Sequence, residues 1–170
     1  MQTLAAEFPR QGNDQLDFAV AHFKFRVASF LNSLAWKLVR GTDPQPDDIA
    51  RAIVLAKKVV ELAQRAGNFW NTLGVAYYRA SDWSAAVTAL EKSKTLPWAV
   101  LARGGRDGDC ADWLVLAMAH WKLGHEKEAR ACYETGIQLL EKNPPKDYED
   151  VADLQGFRAE AEKLLGLKEK

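Results

Sequence analysis

Only two of the 170 residues are cysteine, Cys110 and Cys132, and only three are histidine. Two cysteines do not build the disulfide framework of a small secreted domain; each reads as a small apolar residue in a reducing compartment. An excess of charge of either sign is also missing, with Lys and Arg totalling 23 and Asp and Glu 23. A general nucleic-acid binder carries a basic excess, and so does a protein that docks on anionic lipid; this composition argues against both. Long apolar runs are absent. The most apolar stretch, AIVLAKKVVELA (52–63), is interrupted by Lys57, Lys58 and Glu61, so no membrane span is expected. The first 30 residues carry acids and no continuous apolar core, which argues against a signal peptide. The expected location is cytoplasmic.

Proline is scarce and grouped. Pro44 and Pro46 lie in GTDPQPDD, Pro97 precedes GGRDGD, and Pro144 and Pro145 lie in KNPPKD. Between these breakers the apolar period is helical, and no stretch alternates convincingly as a strand. The pattern predicts helices over about 14–40, 47–65, 68–80, 83–96, 110–123, 126–142 and 147–165. Asp47, Asp82, Asp109 and Asp147 stand at expected N-caps. The fold class is all-α, with helices in antiparallel pairs.

The chain is self-similar. Trp70-x-x-Leu73-Gly74-x-x-Tyr77 is followed by Ala86-x-x-x-Leu90. Forty-three residues on come Trp113-x-x-Leu116-Ala117-x-x-His120 and Ala129-x-x-x-Tyr133. Upstream, Leu31-x-x-Leu34-Ala35-x-x-Leu38 is followed by Ala52-x-x-x-Ala56. Glycine at 74 costs a helix about 0.5–1 kcal/mol relative to alanine, so something there needs the missing side chain. This pattern resembles the tetratricopeptide repeat (TPR) family. Leu90 replaces the usual second-helix aromatic, Ala117 the usual glycine and His120 the usual tyrosine; the first copy is degenerate. The resemblance covers roughly 28–142 and implies an α-solenoid of about three helix-turn-helix repeats with flanking helices. It implies close crossings of Gly74 on Ala86 and its neighbours, Ala117 on Ala129 and Ala35 on Ala52.

The expected organisation is one domain: an N-terminal flanking helix (1–27), a degenerate repeat (28–66), repeats at 67–100 and 110–143, and a capping helix (147–165) over the last repeat. The segment LAAEFP (4–9) reads as the tail of a preceding helix. By resemblance alone, such modules often sit in larger bacterial chains, so a parent chain or neighbouring domain fits.

No catalytic constellation stands out, and none is expected; nor is a cofactor or metal. His120 and His125 are five apart without the spacing of a zinc-protease helix, and His120 takes the place of a packed aromatic. Asp107, Asp109 and Asp112 crowd one loop without calcium-loop spacing, and read as solvated. GGRDGD follows a helix rather than a strand, and Cys110 has no evident partner base.

What remains is a surface. In the TPR family partner segments lie on the concave face of the first helices. The resemblance places there Asn32, Trp36, Val39 and Arg40; Asn71, Val75, Tyr78 and Arg79; and Leu114, Met118, Trp121 and Lys122. The expected function is a protein–protein interaction scaffold that holds a partner peptide or helix with apolar anchors. The alternative covers are the N-terminal helix over Trp36 and the C-terminal cap over Trp121. The alternative function is a structural module that self-associates into a homo-oligomer through the apolar faces of its terminal helices. The carboxylate clamp of chaperone-binding TPR modules is absent, since its places hold Asn32, Trp36, Thr72, Leu114 and Met118.

Overall fold

The computed structural model describes residues 10–96, 110–142, 144 and 148–167, with side chains described from residue 14 and, in the last helix, from 151. These residues form seven helices and no strand: α1 (Arg10–Val39), α2 (Pro46–Leu62), α3 (Gly67–Arg79), α4 (Trp83–Thr95), α5 (Cys110–Lys122), α6 (Glu126–Lys142) and α7 (Tyr148–Leu165). None of them is long and apolar enough to cross a membrane.

Local chemistry sets the boundaries. Residues 13–40 contain no glycine or proline, and α1 runs unbroken through the expected boundary at 27–28. Pro46 opens α2 at a position where a missing N–H costs nothing; Gln45 is the N-cap, and Asp47 sits inside the first turn rather than capping it. Asp82 does cap α4, its carboxylate accepting from the Ala85 N–H at 3.2 Å. Asp109 and Asp147 lie outside the described residues.

Two turns repeat each other atom for atom. After α3 the Ser81 N–H bonds the Tyr78 carbonyl and the Asp82 N–H the Tyr77 carbonyl; after α5 the Gly124 N–H bonds the Trp121 carbonyl and the His125 N–H the His120 carbonyl. Every partner is displaced by 43 residues, the sequence period. The turn needs a left-handed residue, supplied by Gly124 (φ 78°) in one copy and Ser81 (φ 62°) in the other.

Adjacent helices pack in pairs, α1 on α2, α3 on α4 and α5 on α6; α2 also packs on α3, and α4 on α5. The first members of the pairs touch in series, α1 on α3 and α3 on α5. Between them lies the core: Ala35, Val39, Val59, Phe69, Leu73, Val75, Leu90, Leu114, Leu116 and Met118 are all buried. Gly74 crosses α4 at Leu90, where an added Cβ would stand 2.5 Å from the Leu90 Cγ. The contact is therefore one turn beyond Ala86. In the third pair the glycine is on the second helix, Gly136, against Trp113 and Leu114. Ala35, Ala52, Ala117 and Ala129 are fully buried, as small residues at close crossings are.

Candidate functional site

Four of the residues expected to line an open face, Trp36, Arg40, Tyr78 and Arg79, instead meet α7. That helix packs on α5 and, less extensively, on α6, and its long side chains reach α1 and α3. Its apolar stripe, Leu154, Phe157, Ala161 and Leu165, is buried. Burying each large member stabilises the contact by about 1.5–3 kcal/mol.

Three side chains of α7, at spacing i, i+4 and i+7, carry the polar chemistry. Asp153 accepts from the Trp36 indole N–H at 3.2 Å and pairs with Arg40 at 3.7 Å. Phe157 packs beside Trp36, ring centroids 6.1 Å apart, and beneath the Arg79 guanidinium at 5.4 Å. Glu160 places both carboxylate oxygens 2.8 Å from Arg79 Nη1 and accepts from the Tyr78 hydroxyl at 3.1 Å. The Arg79 Nε donates to the Val39 carbonyl, which ties α3 to the end of α1 and fixes the guanidinium in place. Burial, with the Glu160 charge next, pushes the Tyr78 phenol far above its ordinary value, so Tyr78 is a fixed neutral donor.

A second anchor holds the other flank of α7 on α6. Glu162 accepts from the Tyr133 hydroxyl at 2.6 Å and from Arg158 Nε at 2.7 Å. Burial opposes the charge on Glu162, but those two donors outweigh it and hold its carboxyl below the usual range. Burial and the same bond push Tyr133 up to about 12.

The sequence-expected face thus divides. Trp36, Arg40, Tyr78, Arg79 and Met118 are brought together; the Met118 sulfur lies 3.5 Å from the Tyr78 hydroxyl. Val39, Val75 and Leu114 are fully buried core, not lining, because they point between helices rather than out. Asn71 is also buried: instead of waiting for a partner's backbone it donates to Asp112. The Ser93 hydroxyl lies 2.9 Å from both Asp112 Oδ2 and the Gly67 carbonyl. This network corrects the reading of Asp112 as a solvated loop acid; it sits in the first turn of α5, fully buried, where the first N–H groups of a helix and its dipole favour a carboxylate. Asp107 lies outside the described residues.

Trp121 and Lys122 do not join the cluster. Arg130 of α6 lies over the Trp121 ring at 5.5 Å, and Lys122 stands 6.0 Å from the Trp83 ring of α4. The Arg130 side chain of α6 thus lies over Trp121, and α7 lies over Trp36, where a separate N-terminal helix was the expected cover. Asn32 is half-buried on α1, and its Oδ1, like Arg79 Nη2, is buried without a hydrogen-bond partner among the described residues.

Sequence reasoning missed Asp153 and Glu160. Phe157 was legible as part of an amphipathic stripe, but acids flanking such a stripe look the same whether they face water or a buried arginine. No protein-family model matches the chain, and no curated protein matches it.

Proposed function

We propose that this chain is a TPR-type repeat module that acts as a protein–protein interaction scaffold, accepting a helix across the face of α1, α3 and α5, and that α7 is the resident occupant of that face. The 43-residue repeat of the turn hydrogen bonds and the serial contacts of α1, α3 and α5 support the repeat reading. One observation carries the scaffold reading. Residues from separate helices, Trp36 and Arg40 on α1 and Tyr78 and Arg79 on α3, converge on three points of a helix that follows much later in sequence.

The resident helix defines the partner's chemistry. A competing helix carries an acid, an aromatic four residues later and a second acid three beyond that, as Asp153, Phe157 and Glu160 do. The aromatic is the apolar anchor, and the two acids answer Arg40 and Arg79. Asn32 Oδ1 and Arg79 Nη2, without a hydrogen-bond partner among the described residues, leave an acceptor and a donor that a better-matched helix would satisfy.

The test is binding of a labelled peptide with the sequence of residues 148–167 to the full chain. Glu160→Lys sets a cation against Arg79 and loosens α7, so the peptide binds this variant at least about tenfold tighter than wild type. A peptide carrying Phe157→Ala loses that gain. Equal, negligible binding to wild type and to folded Glu160→Lys overturns the reading.

A further inference from the structure

α1 is apolar on two faces. One carries Phe25, Ala28, Ala35 and Val39 and packs on the bundle, with Phe25 against the Phe69 ring at 5.7 Å. The other carries Leu16, Val20, Phe23, Val27, Phe30 and Leu34, spaced by four, three, four, three and four residues. At the helical 100° per residue these six span only about 80° of arc. Leu16, Phe23 and Phe30 are 62%, 68% and 65% exposed. Phe18 is exposed too but lies off this stripe.

The spacing says what the stripe fits. Unbroken alternation of three and four is the 3.5-residue period of a left-handed coiled coil, whose seam meets another helix. Among the described helices α1 packs on α2 and α3 and meets α7 side chains at Trp36 and Arg40, and the stripe stays exposed at Leu16, Val20, Phe23, Phe30 and Leu34. Residues 14–24 are exposed throughout, and a helical stretch this short, with no packing partner, is marginal in water.

We infer that the first part of this stripe, Leu16 to Val27, pairs, antiparallel, with α1 of a second copy of the chain. Charge sets the orientation. Asp17 and Lys24 lie one heptad apart on the same flank of the seam. An antiparallel pair brings like flanks together; a parallel pair does not. With Leu16 against Val27 of the second copy and Val20 against Phe23 of the second copy, Asp17 of each chain meets Lys24 of the other, twice by symmetry. In the parallel arrangement the position facing Lys24 is Ala19, and neither charge finds its opposite. The inference is independent of the α7 face, which lies on the other side of α1.

Sedimentation equilibrium of the full chain, from micromolar to near-millimolar concentration, is the test. Wild type associates reversibly to a dimer. Phe23→Glu, at a position outside the packed core of the monomer, weakens the dimer at least about tenfold while the α2–α7 bundle stays folded. Asp17→Lys weakens it by about threefold, and Asp17→Lys with Lys24→Asp restores it. Phe157→Ala, on α7, leaves the dimer constant unchanged. A chain monomeric over the whole range overturns the inference, as does a dimer indifferent to Phe23→Glu or a dimer that the charge swap fails to restore.

Discussion

At the scale of single residues the close approaches decide what can be changed. Gly74 has no room for even one carbon: the Leu90 side chain would stand at 2.5 and 2.7 Å from it, and Leu90 is itself fully buried and cannot swing away. Gly74→Ala therefore lowers stability by about 1–3 kcal/mol despite its gain in helix propensity. Denaturant melts check this, and an alanine variant as stable as wild type contradicts the crossing. The paired turns give the opposite sign. Ser81 holds a left-handed conformation that glycine adopts freely, so Ser81→Gly stabilises by about 0.5–1 kcal/mol, while Gly124→Ala, at the equivalent place, destabilises by about 1 kcal/mol. A third residue adds a pH dependence. Burial, then the nearby His125, holds His120 below its ordinary value of 6.5. A lowered histidine value means the unfolded chain takes up a proton first. Stability is full above about 6.5 and falls as pH drops from there through the folded value. His120→Tyr, which restores the aromatic expected at this repeat position, flattens that part of a stability-versus-pH curve.

Elements were the most legible level, because breakers and helical periodicity act locally. All seven helices lie close to where the apolar period puts them, and Asp82 caps α4 as its position implies. The start of α2 differed by only a residue, because Pro46 outcompetes Asp47 for the role of opening it. What local signals could not supply was where α7 lies. Its stripe declared that it packs, and the expected neighbour was the last repeat, above all the apolar side of its second helix; the structure puts it chiefly on α5, with Glu160 answering Arg79. That ion pair is unequal in its surroundings. The Arg79 side chain is 5% exposed and that of Glu160 26%. Removing the carboxylate strands a buried cation, so Glu160→Gln costs about 1–3 kcal/mol, less than for a fully dry pair because Glu160 touches water. Arg158→Ala, at a side chain 47% exposed, costs no more than about 0.5 kcal/mol. Melting temperatures of the two variants in the reverse order would contradict this placement of α7.

For the molecule as a whole, a face read from sequence as open is already occupied. Of the aromatic and cationic residues that the sequence put on that face, Trp36, Arg40, Tyr78 and Arg79 converge, whereas Trp121 and Lys122 stand apart. It could not tell a face kept for a separate partner from one filled by the chain's own last helix, because both need the same side chains. Nor could it see that Asn71 was committed to Asp112, since a contact between residues 41 apart leaves no local pattern. These placements sharpen one exclusion. A clamp for the terminal carboxylate of an acidic chaperone peptide needs an asparagine where this chain has Thr72 and cations where it has Leu114 and Met118, and those three are 2%, 0% and 0% exposed. A carboxylate brought there loses its water with no charge to replace it. The two arginines of the face do not rescue it, because they are spaced for acids two helical turns apart rather than for an extended terminus. The acidic peptide therefore shows no binding at tens of micromolar to wild type or to Glu160→Lys, whereas the helical 148–167 peptide does bind the variant. Calorimetry with both peptides on the same protein separates the cases: tight binding of the acidic terminus, lost on mutation of Arg79, would mean that the face reads charge alone and not the helix that carries it.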